Sequence, residues 1–226
     1  MLKKILKIIL GLLLLPVCAG FTWQLTAMIG SLRFQPDSPY YFCAGCLVYL
    51  TIHILFRKPI FTYVVGHELT HAFFALLFGG MVKSFHASSK GGQVTVTKSN
   101  FIITLAPYFF PLYTFIILLA YWMALSLDVR GPWLAAFVVL SGATFAFHLV
   151  LTFIFLQTDQ NDIREQGAIF SYPLIYLFNV VFSAFIVKLF LAENMDYILF
   201  LVGGIMKSIK IVTMAGSAIS SLLAAT

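Results

Sequence analysis

IFTYVVGHELTHAFFALLFG, residues 60–79, is a twenty-residue apolar run interrupted by three ionisable side chains, His67, Glu68 and His71. A helix of about 20 apolar residues crosses the ~30 Å hydrocarbon core of a bilayer. The rest of the chain decides for lipid over a soluble core. Of 226 residues, 61% are hydrophobic and 10% are charged, whereas a soluble domain carries about 25% charged residues. So few charges cannot cover the surface of a soluble protein of this size. The mean hydropathy of +0.99 agrees.

Working outward, further apolar runs occupy residues 8–30, 41–56, 101–126, 133–156 and 172–191. The reading is an all-α polytopic membrane protein of about six transmembrane helices and a single domain over 1–226. The run at 101–126 is interrupted by Pro107 and Pro111. A weaker segment, Tyr197 to Met206, continues into Lys207 and Lys210 and is expected to form a short helix or to lie in the membrane interface. Residues 81–97 differ in character. Apolar and polar residues alternate from Met81 to His86 and from Gln93 to Thr97, around the Ser88–Gly92 turn signal. That pattern predicts a β-hairpin, membrane-associated because open sheet edges cannot face lipid. Gly79 and Gly80 are expected to stop the preceding helix.

The net charge is +6, but the lysines and arginines flank apolar runs, where they anchor and orient helices. Nucleic-acid binding is therefore not expected. The lipid bilayer is the expected surrounding, and a bacterial cytoplasmic (inner) membrane the expected location. Cys43 and Cys46 have CxxC spacing inside an apolar segment, where small residues at a helix contact are the plainer reading. Residues 8–30 follow Lys3, Lys4 and Lys7 and are read as a retained first span rather than a cleaved leader.

His67 and His71 are four residues apart, which places both imidazoles on one helix face. Two ring nitrogens in that arrangement can share one zinc ion at about 2.0–2.1 Å. Glu68, rotated about 100° from His67, lies within reach of the ion's water and can act as general base. With five His and three Glu in the chain, a chance HExxH is expected on the order of once per thousand such chains. Ionisable groups at bilayer depth are costly without a partner, and a metal supplies one. A catalytic zinc takes a third protein ligand. The downstream carboxylates are Asp128, Asp159, Asp162, Glu165, Glu193 and Asp196. Asp159 and Asp162 stand out because they follow an apolar span directly.

HELTH in an apolar helix, the glycine break at Gly79-Gly80 and the hairpin pattern up to Val96 together resemble the core of the site-2 protease group of intramembrane zinc metalloproteases. The resemblance covers roughly residues 60–171, with 1–59 as a two-helix extension and 172–226 as C-terminal helices. It implies Zn2+ as cofactor, His67, His71 and Asp162 as metal ligands, and Glu68 as the catalytic residue, with Asp159 as the fallback ligand. Gln160-Asn161-Asp162 followed by Gly167-Ala-Ile-Phe-Ser171 carries the match at Asp162. The chain departs from the family in three ways: Ile163 stands where the family has glycine, Leu105–Pro111 has no Asn, and there is no PDZ-like insertion. The implied partner is a transmembrane protein or peptide substrate, locally unwound, whose backbone pairs with the hairpin edge. Two other functions compete: a zinc-binding membrane transporter or chaperone, which needs no general base beside the His pair, and an inactive, protease-like assembly factor. Among the remaining polar residues, His148 is a candidate for a supporting role at the site, His53 and Asn179 read as interhelical contacts, and His86 as exposed.

Overall fold

The computed structural model describes residues 2–56, 58–127, 132–192 and 194–224. Asp128 and Glu193 lie outside the described residues. The chain is an all-α polytopic membrane protein with one small antiparallel hairpin. In order, the elements are α1 (Leu2–Ile29), α2 (Ser38–Leu55), α3 (Ile60–Leu77), β1 (Val82–Ser88), β2 (Gly91–Val96), α4 (Phe101–Leu105), α5 (Leu112–Ser126), α6 (Pro132–Leu156), α7 (Asn161–Gln166), α8 (Ala168–Ile186) and α9 (Tyr197–Ala224). A 3₁₀ turn, Ala106–Tyr108, follows α4, and a π turn, Val187–Leu191, extends α8. Among the described residues, six helices are long and apolar enough to cross a membrane: α1, α2, α3, α6, α8 with its extension, and α9. The segments 101–108 and 112–126 pass the same test only together, bent by 82°.

Two compact units make up the chain, one of residues 35–165 and one of 1–34 with 166–226. In the first, α2 and α6 meet backbone to backbone. A Cβ added at Gly45 would lie 1.9 Å from the Val139 carbonyl oxygen, and one at Gly142 would lie 2.1 Å from that of Phe42. Small residues permit this approach where lipid offers no hydrophobic drive for helix association. Cys46 belongs to the same contact, its thiol donating to the Gly142 carbonyl at 3.3 Å, while Cys43 is exposed. Tyr49, Tyr63, Ala146, Phe147 and Leu151 form the core that holds α3 in place.

Helix α3 ends as the sequence predicts. Gly79 has φ +70°, its N–H donates to Leu76 O at 2.9 Å, and the Gly80 N–H donates to Ala75 O at 2.7 Å. This pair of bonds is a Schellman stop, which favours glycine because of the positive φ. The hairpin follows at once. Its strands pair from Val82↔Val96 to Ser88↔Gly91, with an irregularity between Val82 and Ser84. Asn100 then caps α4 by accepting from the Ile103 N–H at 2.9 Å. Pro107 and Pro111 break the helix there, because proline lacks the N–H that would continue the bond pattern.

In the second unit, α1 is the centre. Lys7 bonds Gln166 at 2.7 Å, Cys18 bonds the Pro173 carbonyl, and Thr22 bonds Tyr176, so α8 runs parallel to α1. Gly20 packs on Ser208, and Gln24 on Gly203, so α9 runs antiparallel. The expectation of a short helix after Tyr197 is corrected here, since α9 is one helix of 28 residues, long and apolar enough to cross a membrane. Lys207 and Lys210 do not stop it because their ammonium groups fold over the Trp23 ring, 5.1 and 5.4 Å from its centroid. Such cation–π contact stabilises a charge on an apolar helix face.

Candidate metal centre

Helix α3 supplies His67 and His71, and short helix α7 supplies Asp162 from 95 residues further along the chain. His67 Nε2 lies 3.2 Å from Asp162 Oδ2, and His71 Nε2 lies 3.4 Å from the same oxygen and 3.2 Å from His67 Nε2. Three ligand atoms therefore form a nearly equilateral triangle. Ligands at 2.0–2.2 Å from a tetrahedral ion are separated by roughly 3.3–3.6 Å, so the triangle has the size of one face of such a site. Among the described residues this is one group of His, Cys, Asp and Glu able to hold a metal ion.

Donor chemistry agrees with that fit. His71 Nδ1 lies 2.8 Å from the Ile103 carbonyl oxygen. A carbonyl only accepts, so Nδ1 carries a proton; an Nε2 proton can then serve Asp162 in the metal-free chain, and its loss leaves a lone pair for an incoming ion. The Ile103 carbonyl is available for a physical reason. Its helical partner four residues on is Pro107, which has no N–H to give. An acceptor on the second ring nitrogen is the usual way a metal-binding imidazole is oriented.

Asp162 is oriented by a residue that the sequence reading passed over. The Tyr108 hydroxyl donates to Asp162 Oδ2 at 3.0 Å and also reaches Gln160 Oε1 at 3.3 Å. Tyr108 is fully buried, and its ring meets His67 edge-on at 5.0 Å between centroids. The available signal was its place as a polar-tipped side chain inside the Pro107–Pro111 break. Burial raises the Asp162 carboxyl, but hydrogen bonds from His67 and His71 outweigh it and hold the group below the usual carboxylate range.

Glu68 stands outside the metal-sized triangle but lines the same cavity of about 720 Å³. It is buried, and its carboxylate interacts with the Val94 backbone amide of β2. Gly92 lies directly against it: an added Cβ would sit 2.6 Å from Glu68 Cγ and 2.7 Å from its Oε1. Residues Gly91–Val96 form one wall of the cavity, and Asp159–Asp162 with Glu165 form another.

The other sequence candidates fall elsewhere. Asp159 is exposed, outside the triangle, and forms an ion pair with Arg164 that lowers its carboxyl pKa. Asp196 caps α9 through the Leu199 N–H. His53 bonds the Tyr49 hydroxyl at 3.0 Å, and His86 is exposed on β1 opposite Gln93. The Asn179 amide donates to the Ile175 carbonyl of its own helix. His148 is buried in α6 and lines a small cavity together with His67.

Comparison with known proteins returns no match of any kind: no family model, no curated protein and no solved structure matches the chain.

Proposed function

We propose that the chain is an intramembrane zinc metalloprotease of the site-2 protease type, cleaving peptide bonds in or near transmembrane segments of other membrane proteins. One observation carries this reading. His67 Nε2, His71 Nε2 and Asp162 Oδ2 converge within 3.4 Å in a cavity that Glu68 and a β-strand also line. His67, His71 and Asp162 would hold the ion. A bound zinc supplies Lewis-acid polarisation of a carbonyl and lowers the pKa of water towards 7.

The chain's own residues divide the remaining work. Glu68 takes a proton from the attacking water and delivers it to the leaving amine nitrogen, as a general base and then a general acid. The C–N bond breaks as the water oxygen joins the carbonyl carbon. Strand β2 belongs to a two-stranded sheet, so its outer edge, apart from the Val94 N–H that meets Glu68, can pair with an extended substrate backbone. The polar stretch Asp159–Asp162 on the cavity wall gives water a route to the reacting bond.

A zinc carrier would need the triangle but not Glu68. The experiment is zinc stoichiometry in the detergent-purified chain, followed by cleavage of a helical membrane substrate. About one zinc per chain is expected in wild type and Asp159→Ala, with loss in His67→Ala and weakening in Asp162→Ala. Cleavage is expected to vanish in Glu68→Gln while zinc stays bound. A wild type that neither carries nor takes up zinc refutes the reading, and zinc binding without Glu68-dependent cleavage leaves the carrier or assembly-factor function.

A further inference from the structure

A second cavity, of about 20 Å³, is lined by Tyr63, His67, Pro107, Tyr113, Phe147 and His148 among others. One water molecule needs roughly 10–15 Å³ and two to four polar partners. The cavity joins histidines of two helices, His67 from α3 and His148 from α6. Two side-chain atoms of α3 residues on this lining, His67 Nδ1 and the Tyr63 hydroxyl, are buried without a hydrogen-bond partner among the described residues.

The chemistry of His67 gives its orphaned atom meaning. Its Nε2 faces Asp162 and His71 at 3.2 Å. As a ligand it must present a lone pair there, which places the proton on Nδ1. His71 donates its equivalent proton to the Ile103 carbonyl, whereas His67 Nδ1 has no acceptor among the described residues. A buried donor without an acceptor is left with its desolvation cost uncompensated. His148 is itself a buried imidazole on a membrane-spanning helix, a place where ionisable groups are rarely kept without a task.

We propose that a water molecule in this cavity accepts the His67 Nδ1–H and is held by the imidazole of His148, which makes His148 the positioning residue of His67. The inference rests on the metal-site reading above. The Tyr63 hydroxyl supplies the water's third partner. Together these groups fix the His67 tautomer and ring plane, and they tie the His67 orientation to the packing of α6 on α3. The two metal-binding histidines are then oriented by different devices, one by a proline-freed carbonyl and the other by a shared water.

The test is the zinc dissociation constant of the full-length chain in detergent, by chelator competition, with thermal unfolding of the metal-free protein beside it. Removing such a partner typically weakens metal binding 10–100-fold, and that loss is expected in His148→Leu. His148→Gln keeps a polar group on the cavity and is expected to restore affinity to within a few-fold of wild type. Tyr63→Phe removes only one hydroxyl, leaves the aromatic packing in place, and is expected to weaken binding several-fold. Wild-type affinity in both His148→Leu and Tyr63→Phe, or equal weakness in His148→Gln and a folded His148→Leu, overturns the inference while leaving the metal site standing. Absence of zinc binding in wild type overturns the metal site and this inference with it.

Discussion

Tyr108→Phe removes one hydroxyl from the centre and changes little else. The ring is fully buried, so phenylalanine keeps its packing against His67. What disappears is the donor 3.0 Å from Asp162 Oδ2. A hydrogen bond to a charged group contributes about 1.5–3 kcal/mol, which at about 1.4 kcal/mol per factor of ten corresponds to roughly 10–150-fold. Not all of this appears as lost metal affinity, because the hydroxyl also serves the carboxylate when the ion is absent. The expected division is about tenfold in the zinc dissociation constant and about 1 kcal/mol in the stability of the metal-free chain. Chelator competition reads the first, and thermal unfolding in detergent with excess chelator reads the second. Asp159→Asn is the control and is expected to change the dissociation constant less than twofold, because Asp159 is exposed and pairs with Arg164. Zinc affinity and apo stability both unchanged in Tyr108→Phe would refute the assignment of Tyr108 as the group that orients Asp162.

Four further outcomes follow from the same geometry. Gly92→Ala places a methyl 2.6 Å from Glu68 Cγ, and displacing a reacting group by about 1 Å costs on the order of 100-fold; proteolysis is expected to fall 10–100-fold with zinc content unchanged, read on a helical substrate. Pro107→Ala restores an N–H that competes with His71 for the Ile103 carbonyl, so the zinc dissociation constant is expected to rise by roughly tenfold in chelator competition. Gly142→Leu forces a side chain into the Phe42 carbonyl, which a Cβ alone would meet at 2.1 Å; a loss of at least about 1–3 kcal/mol is expected in unfolding of the purified chain. Because hydrogen bonds from His67 and His71 depress the Asp162 carboxyl against the pull of burial, its contribution to stability is present above the unfolded carboxyl value near 4 and is lost as pH falls through the lower folded value. The stability difference between wild type and Asp162→Asn is therefore expected to hold from pH 7 to about 4 and to shrink only below it, measured by unfolding in the metal-free protein.

The parts of this protein legible in its sequence are those set by short-range periodicity. Apolar runs give the spans, Gly79-Gly80 gives the Schellman stop, and alternation around Gly91 gives the hairpin, because each depends on neighbours a few residues apart. The four-residue spacing of His67 and His71 belongs to the same class, since a helix turn alone brings those rings together. α9 escaped this reading because Lys207 and Lys210 look like a boundary until Trp23, far away in the chain, is placed beneath them. Only Gln160 and Asn161 separate Asp159 from Asp162, and composition cannot rank the two carboxylates. Only packing decides that one carboxylate turns in to His67 and His71 while the other turns out to Arg164. The same holds for Tyr108 and for the Ile103 carbonyl: a proline break is visible in the sequence, but where the freed carbonyl points is fixed by how α4 lies against α3. Spacing thus determined the half of the metal site that one helix can build, and tertiary structure decided the half that requires 95 residues of chain to return to it.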